Sequence, residues 1–201
     1  NQSLLLKLRQ PLEKDFLQAT LAALVAHHDA LRLRYRKTPD GWSQRYTPRR
    51  MAAGQEILWM REISSQHELE QLCAAAQNSL DLAHGPLVRA VFITYPDKRQ
   101  NLLLVMHHLV VDGVSWRILL EDFEQAYQQI AGGVSPQLPA VMQSFRQHAQ
   151  ALNDFAGHAA LVEQAGYWHT VTAGAMPGFP PDAPDAAACT RDAAEIALRI
   201  D

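Results

Sequence analysis

The apolar positions, followed in order, alternate between strand and helix periods. Leu4, Leu6 and Leu8 share one face of a strand over Ser3–Arg9, with Lys7 and Arg9 on the other. Pro11, Glu13 and Asp15 then mark a helix start, and Leu17, Leu21, Leu24, Val25 and His28 recur at helical spacing, predicting a helix over about Leu12 to His28. Leu31 to Arg36 alternates with period two, and Thr38-Pro39-Asp40-Gly41 turns it into Trp42–Tyr46, a hairpin whose Arg34 and Arg36 are expected on a solvated face. A short strand follows over Ile57–Arg61. Ser65 and Glu68 form a capping box for a helix with Leu69, Leu72, Cys73, Ala76 and Leu80 as its buried stripe.

Gly85-Pro86 interrupts the chain before a strand over Leu87–Tyr95, and Pro96-Asp97-Lys98-Arg99 turns it into an antiparallel neighbour over Asn101–Met106. Leu102 to Met106 is apolar on both faces, as in the middle of a covered sheet. Ser115 is the expected N-cap of a helix with the stripe Trp116, Leu119, Leu120, Phe123, Ala126, Tyr127 and Ile130, ended by Gly132-Gly133. Further helices are predicted over Ser144–Leu152 and Phe155–Val171, then an irregular Pro-rich stretch from Gly174 to Thr190 and a strand over Ala194–Ile200. A chain that starts inside one strand and stops inside another is expected to have sequence on either side of it.

Composition narrows the function classes. The 201 residues are 48% hydrophobic and 19% charged with a net charge of -3, an ordinary globular balance with no basic excess for nucleic acid. No apolar run approaches the roughly 20 residues of a membrane span and no signal-like segment opens the chain, so no membrane partner and a cytoplasmic location are expected. Cys73 and Cys189 are far apart and indicate neither a disulfide framework nor a zinc site. His27-His28 and His107-His108 are two adjacent pairs, but neighbouring side chains diverge and no carboxylate stands at helical ligand spacing, so no metal is expected. No phosphate-cradling or dinucleotide-binding glycine motif is present.

The candidate chemistry lies in His107-His108-Leu109-Val110-Val111-Asp112-Gly113-Val114-Ser115-Trp116, where a buried strand hands over to an amphipathic helix. Of the two histidines, His108 is nearer the loop and free to reach a ligand, and its imidazole exchanges protons near neutrality. His107 is expected to face away as a support. Asp112 is expected to lock the loop through an ion pair with Arg32, with Gly113 letting the backbone turn tightly.

His107-His108-x-x-x-Asp112-Gly113 resembles the HHxxxDG signature of the chloramphenicol acetyltransferase-like superfamily, and Val114-Ser115-Trp116-Arg117-Ile118-Leu119 resembles the epimerization domains of nonribosomal peptide synthetases. The likeness extends to Asn1-Gln2-Ser3, His28 to Tyr35, Leu80 to Leu87, and Leu138-Pro139 with Ser144-Phe145; His148 departs from it where relatives commonly carry Trp. It implies a two-layer α/β sandwich of the chloramphenicol acetyltransferase type, with a mixed, largely antiparallel sheet and helices packed on one side. Residues 1-173 would form the N-terminal lobe of such a domain, and 174-201 a loop and strand leading toward a second lobe outside this chain.

The implied reaction is L-to-D inversion at the α-carbon of an aminoacyl or peptidyl thioester. The substrate would arrive on the 4'-phosphopantetheine of a carrier protein domain, with adenylation and condensation domains as neighbours and no cofactor bound by this lobe. Inversion needs proton-transferring groups on both faces of the carbon. His108 would serve one face; the resemblance places the other group, a glutamate, in the second lobe. Ser115 and Trp116, at the helix start, are candidates for a backbone oxyanion donor or a substrate contact. Two alternatives stay open: a condensation domain forming a peptide bond between carrier-bound acyl groups, and a non-catalytic docking or scaffolding lobe.

Overall fold

The structure is a computed structural model that describes residues 1–49 and 57–174. Cys189, the Pro-rich stretch beyond Gly174 and the strand expected over Ala194–Ile200 lie outside the described residues. The chain divides into two compact units, Asn1–Ala149 and Gln150–Asp201.

The first unit is built on a four-stranded sheet. In chain order its strands are β1 (Gln2–Lys7), β4 (Leu58–Glu62), β5 (Val88–Thr94) and β6 (Gln100–Met106), arranged β1-β6-β5-β4. β6 pairs antiparallel with both β1 and β5, while β4 runs parallel to β5. The parallel step requires a crossover, which the helix α2 (Gln66–Asn78) supplies. Its start carries the expected capping box: Ser65 Oγ accepts from the Glu68 amide at 3.2 Å, and the Glu68 carboxylate accepts from the Ser65 amide.

Helices cover both faces of this sheet, because alternate residues of β5 and β6 point to opposite sides. On one side Ala90, Phe92, Leu102, Leu104 and Met106 pack with Leu17, Leu21 and Val25 of α1 (Lys14–His27) and with Trp116 and Leu119 of α3 (Gly113–Ala131). On the other, Val91, Ile93, Leu103 and Val105 pack with Leu69 and Ala76 of α2. The doubly apolar Leu102–Met106 is thereby accounted for. The mixed, largely antiparallel α/β sheet is as expected, but the one-sided helix layer is corrected, since α2 lies on the reverse face.

β2 (Leu33–Thr38) and β3 (Gly41–Tyr46) form a separate two-stranded antiparallel sheet. The alternation seen from Leu31 overextends this strand, because Asp29–Arg32 is a short 3-10 turn. Arg34 also departs from expectation: it is only 4% exposed, donating through Nε to the His84 carbonyl at 3.1 Å. Its guanidinium lies against Gly85, where φ is +79° and a side chain would collide with it. A glycine there satisfies both the backbone and the arginine.

The helix α4 (Phe145–Ala156) starts at Ser144, whose Oγ accepts from the Gln147 amide while the Gln147 side chain accepts from the Ser144 amide. The single helix expected over Phe155–Val171 is instead α5 (Ala159–Val162) and α6 (Ala165–Ala173). Gly157 sits at the break, where the amides of Gly157 and His158 bond three residues back and close the preceding turn. Among the described residues no helix is long and apolar enough to cross a membrane.

Candidate active site

β6 ends at Met106, and the chain turns at once. The His107 amide donates to the Leu87 carbonyl at 3.0 Å, and the Val110 amide returns to the His107 carbonyl at 2.9 Å. From the hairpin, the Tyr35 hydroxyl donates to the Leu109 carbonyl at 3.0 Å. The loop is therefore closed by its own bond and held from two other segments, at Leu87 and at Tyr35.

His107 is half-buried, and its Nδ1 accepts from the Leu109 amide at 3.1 Å. Burial pushes its imidazole below the ordinary histidine range, so it stays neutral with the proton on Nε2. This fits a support held into the loop's own backbone. His108, in contrast, is exposed. Its Nδ1 is 2.9 Å from the Val111 carbonyl, and its Nε2 is 3.1 Å from Gln2 Nε2. A carbonyl only accepts, so Nδ1 carries the proton and Nε2 is the basic nitrogen of the neutral ring.

Asp112 does not pair with Arg32. Its Oδ1 accepts from the Ser115 amide at 2.8 Å and from the Ser115 hydroxyl at 2.6 Å, making Asp112 the N-cap of α3 in place of Ser115. These bonds, the hydroxyl's first, hold the carboxyl below the usual carboxylate range. The Trp116 amide donates to the Asp112 carbonyl at 3.2 Å. The amides of Ser115 and Trp116 are thus engaged by Asp112, which removes them as oxyanion donors. The Trp116 side chain is 9% exposed, and its indole N–H donates to Gln2 Oε1 at 2.8 Å.

Arg32 is 8% exposed and folds back onto the end of α1, donating through one terminal nitrogen to the carbonyls of Val25 at 2.9 Å and Ala26 at 2.8 Å. A cation on the last carbonyls of a helix satisfies groups that have no partner inside it. Its buried Nε finds no hydrogen-bond partner among the described residues. Gly113 is also explained differently from expectation. It is absent from the positive-φ residues, and a Cβ built on it meets nothing within 4 Å. The turn therefore does not require it, and the space above it is open.

The other histidine pair closes α1. His28 Nε2 is 2.8 Å from Asp122 Oδ2 of α3, and burial pushes the His28 imidazole down against the opposing pull of that carboxylate. Ligand atoms of His27, His28 and Asp122 lie within 4.8 Å of one another. The 2.8 Å contact is that of a hydrogen bond, whereas two atoms bound to one tetrahedral zinc at about 2.0 Å stand roughly 3.3 Å apart. Asp122 is 94 residues from His28, so sequence spacing gave no sign of it. Between this seam and the start of α3 lies a recess of about 120 Å³, lined by His28, Leu31, Val110, Ser115 and Ile118.

Residues 1–201 match the condensation domain family. The chain is 43% identical over 173 residues to a linear gramicidin synthase chain of Brevibacillus parabrevis, covering 84% of this chain and 2% of that protein. It is 39% identical over 171 residues to surfactin synthase subunit 1 of Bacillus subtilis (strain 168), covering 84% and 5% respectively. Among solved structures, the epimerization domain from the third module of tyrocidine synthetase B superposes with a TM-score of 0.79 at 31% identity, over 90% of this chain and 42% of that one. The X-domain from teicoplanin biosynthesis shares the fold, with a TM-score of 0.72 at 20% identity over 87% and 39%. This chain spans a small part of the curated relatives and less than half of those solved domains. With the HHxxxDG loop seated between sheet and helix as described, the chain belongs to the condensation-domain family of nonribosomal peptide synthetases, within the chloramphenicol acetyltransferase-like superfamily.

Proposed function

We propose that this chain supplies one wall of an epimerization site, with His108 acting on the α-carbon of an aminoacyl or peptidyl thioester. The observation that carries this reading is the state of His108: exposed, with Nδ1–H fixed on the Val111 carbonyl and Nε2 as the basic nitrogen. An α-proton would pass to Nε2 while its electron pair stays on carbon as the enolate of the thioester. A donor on the opposite face would return a proton and complete inversion. The resemblance assigns that donor to a second lobe, which is a partner of this one along with the carrier protein and its phosphopantetheine arm. Asp112 and His107 act by holding the loop in shape.

Epimerization is favoured over its relatives by Val114-Ser115-Trp116 and by the likeness to the tyrocidine synthetase epimerization domain. Condensation is the second reading, supported by the family description itself. In that case His108 Nε2 would take a proton from the attacking amine instead. The two separate cleanly when a carrier protein is loaded with an L-aminoacyl thioester and incubated with the full-length synthetase. Chiral chromatography of the released amino acid should show D-isomer accumulating without any acceptor. Recovery of L-isomer alone, with a peptide formed once an acceptor thioester is added, would overturn epimerization in favour of condensation.

A further inference from the structure

We infer that Gln2 is a positioning residue that keeps His108 as a base at Nε2, and that Trp116 fixes Gln2 in that role. The inference rests on His108 being the base of the proposed reaction. Gln2 is the first residue of β1 and pairs in register with Met106, two residues before His108. Sheet pairing therefore delivers its side chain beside the loop, although 106 residues separate the two in sequence.

The hydrogen bonds admit one arrangement. An indole N–H only donates, so Trp116 must meet the amide oxygen of Gln2, and it does so at 2.8 Å. The amide's NH₂ end is then the one that faces His108 Nε2 at 3.1 Å. A donor there requires a lone pair on Nε2, and the Val111 carbonyl at 2.9 Å requires a proton on Nδ1. Both contacts select the same tautomer, and together they hold the ring from two sides. Among the described residues, the titratable side chains beside the imidazole, His107 and Asp112, make their own hydrogen bonds within the loop, and neither hydrogen-bonds a ring nitrogen of His108.

This arrangement also implies a hand-over. Nε2 has one in-plane lone pair, so the Gln2 N–H and a substrate C–H cannot both use it. A bound thioester must displace the Gln2 contact before its α-proton reaches the ring. Once that proton arrives, the new Nε2–H faces the Gln2 NH₂, donor against donor, and the contact cannot re-form until the proton leaves. Gln2 would hold the resting base in the competent form and let go during turnover.

Nitrogen-15 NMR of the histidine-labelled complete domain, this chain together with its second lobe, reads the ring directly. Wild type should show His108 with Nδ1 protonated and Nε2 bare. Gln2→Glu replaces the facing donor with an acceptor and should draw a proton onto Nε2 at the same pH. Trp116→Phe frees the amide to turn over and should leave His108 in a mixture of states. Gln2→Met, of similar length but without the amide, should keep the Nδ1–H form while broadening the ring resonances. A wild-type Nε2–H, or spectra unchanged at His108 in every variant that folds, would overturn the inference; if Gln2→Glu fails to fold, Trp116→Phe and Gln2→Met still decide it.

In the full-length synthetase, Gln2→Glu should cut α-proton exchange at least about 100-fold, as a wrongly protonated base does, and Gln2→Met about tenfold, with KM for the loaded carrier moving less than about twofold. Unchanged exchange in both variants would also overturn it. Should the wild type itself show no exchange, the proposed reaction fails while the NMR result still judges the placement of Gln2.

Discussion

Two His-His pairs occupy the same kind of position, each at the end of a regular element that packs against α3, yet they are built for opposite ends. His28, closing α1, is drawn toward the interior and bonded at 2.8 Å to Asp122, which is 6% exposed. His108, beyond β6, is exposed and held by two neutral groups, the Val111 carbonyl and the Gln2 amide. A carboxylate partner in a buried seam ties a ring into the fold, because exchanging its proton disturbs the packing of two helices. A neutral cradle at the surface fixes the ring's orientation and tautomer and, in the proposed reaction, leaves Nε2 as the atom that meets the substrate. The dipeptide is identical, and the partners make the difference.

The sharpest way to break this contrast is to remove each ring in turn. His108→Ala should reduce epimerization in the full-length synthetase by about 100- to 10,000-fold, the range of a lost general base, with circular dichroism and melting unaltered. His28→Gln should leave the rate within a few-fold, since its amide can still donate to Asp122. Equal losses from both would erase the distinction.

Next in size is the seam itself. Asp122→Ala strips a buried partner from His28 and should lower stability in urea titrations by about 1 to 3 kcal/mol. A change under about 0.5 kcal/mol would mean the seam is not holding the two helices.

The pH dependence distinguishes the pairs further. Burial holds the folded His28 below its ordinary value, so the unfolded chain takes up that proton first as the pH falls. Its contribution is complete above about pH 6.5 and is lost as pH drops through the lower folded value. His107 is shifted in the same direction and adds to the loss. His28→Gln should therefore flatten, without abolishing, the fall in denaturation midpoint on acidification from pH 7. A midpoint that rises on acidification would contradict the assigned directions.

Smaller effects fall on the loop. Asp112→Ala removes the N-cap of α3 and should cost about 1 kcal/mol, whereas Asp112→Ser, which can still cap, should recover most of it. Recovery by Ser would be hard to reconcile with an ion pair to Arg32. Gly113→Ala should change stability by no more than about 1 kcal/mol, in the stabilising direction, because its Cβ enters open space at a helix start. A strong drop in turnover with that stability intact would show that substrate passes over this position.

Much of the scaffold was legible because it depends on local periodicity and end signals. The Ser65/Glu68 capping box, the hairpin turn at Pro39–Gly41, the doubly apolar β6 and the stripe of α3 each follow from residues a few positions apart. What failed depended on distant partners or on competition between neighbours. Ser115 has a cap residue's chemistry, but Asp112 reaches its amide and hydroxyl first. Arg34 alternates with Arg36 like a solvated face yet lies against Gly85, and Arg32, expected to pair with Asp112, satisfies the end of α1 instead. Gly157 ends a helix that periodicity alone carried through. The HHxxxDG motif pointed to His108 and placed Trp116 near it, but nothing in the sequence joined either to Gln2, because that link exists only once β1 pairs with β6.

The most direct test of His108's role follows deuterium into the α-carbon. A carrier-bound L-aminoacyl thioester is incubated in deuterated water with the full-length synthetase, wild type or His108→Ala, and the released amino acid is weighed by mass spectrometry. Wild type should incorporate one α-deuterium as the D-isomer appears, and His108→Ala should incorporate none above the uncatalysed background. Exchange that persists undiminished in His108→Ala would show that another group is the base.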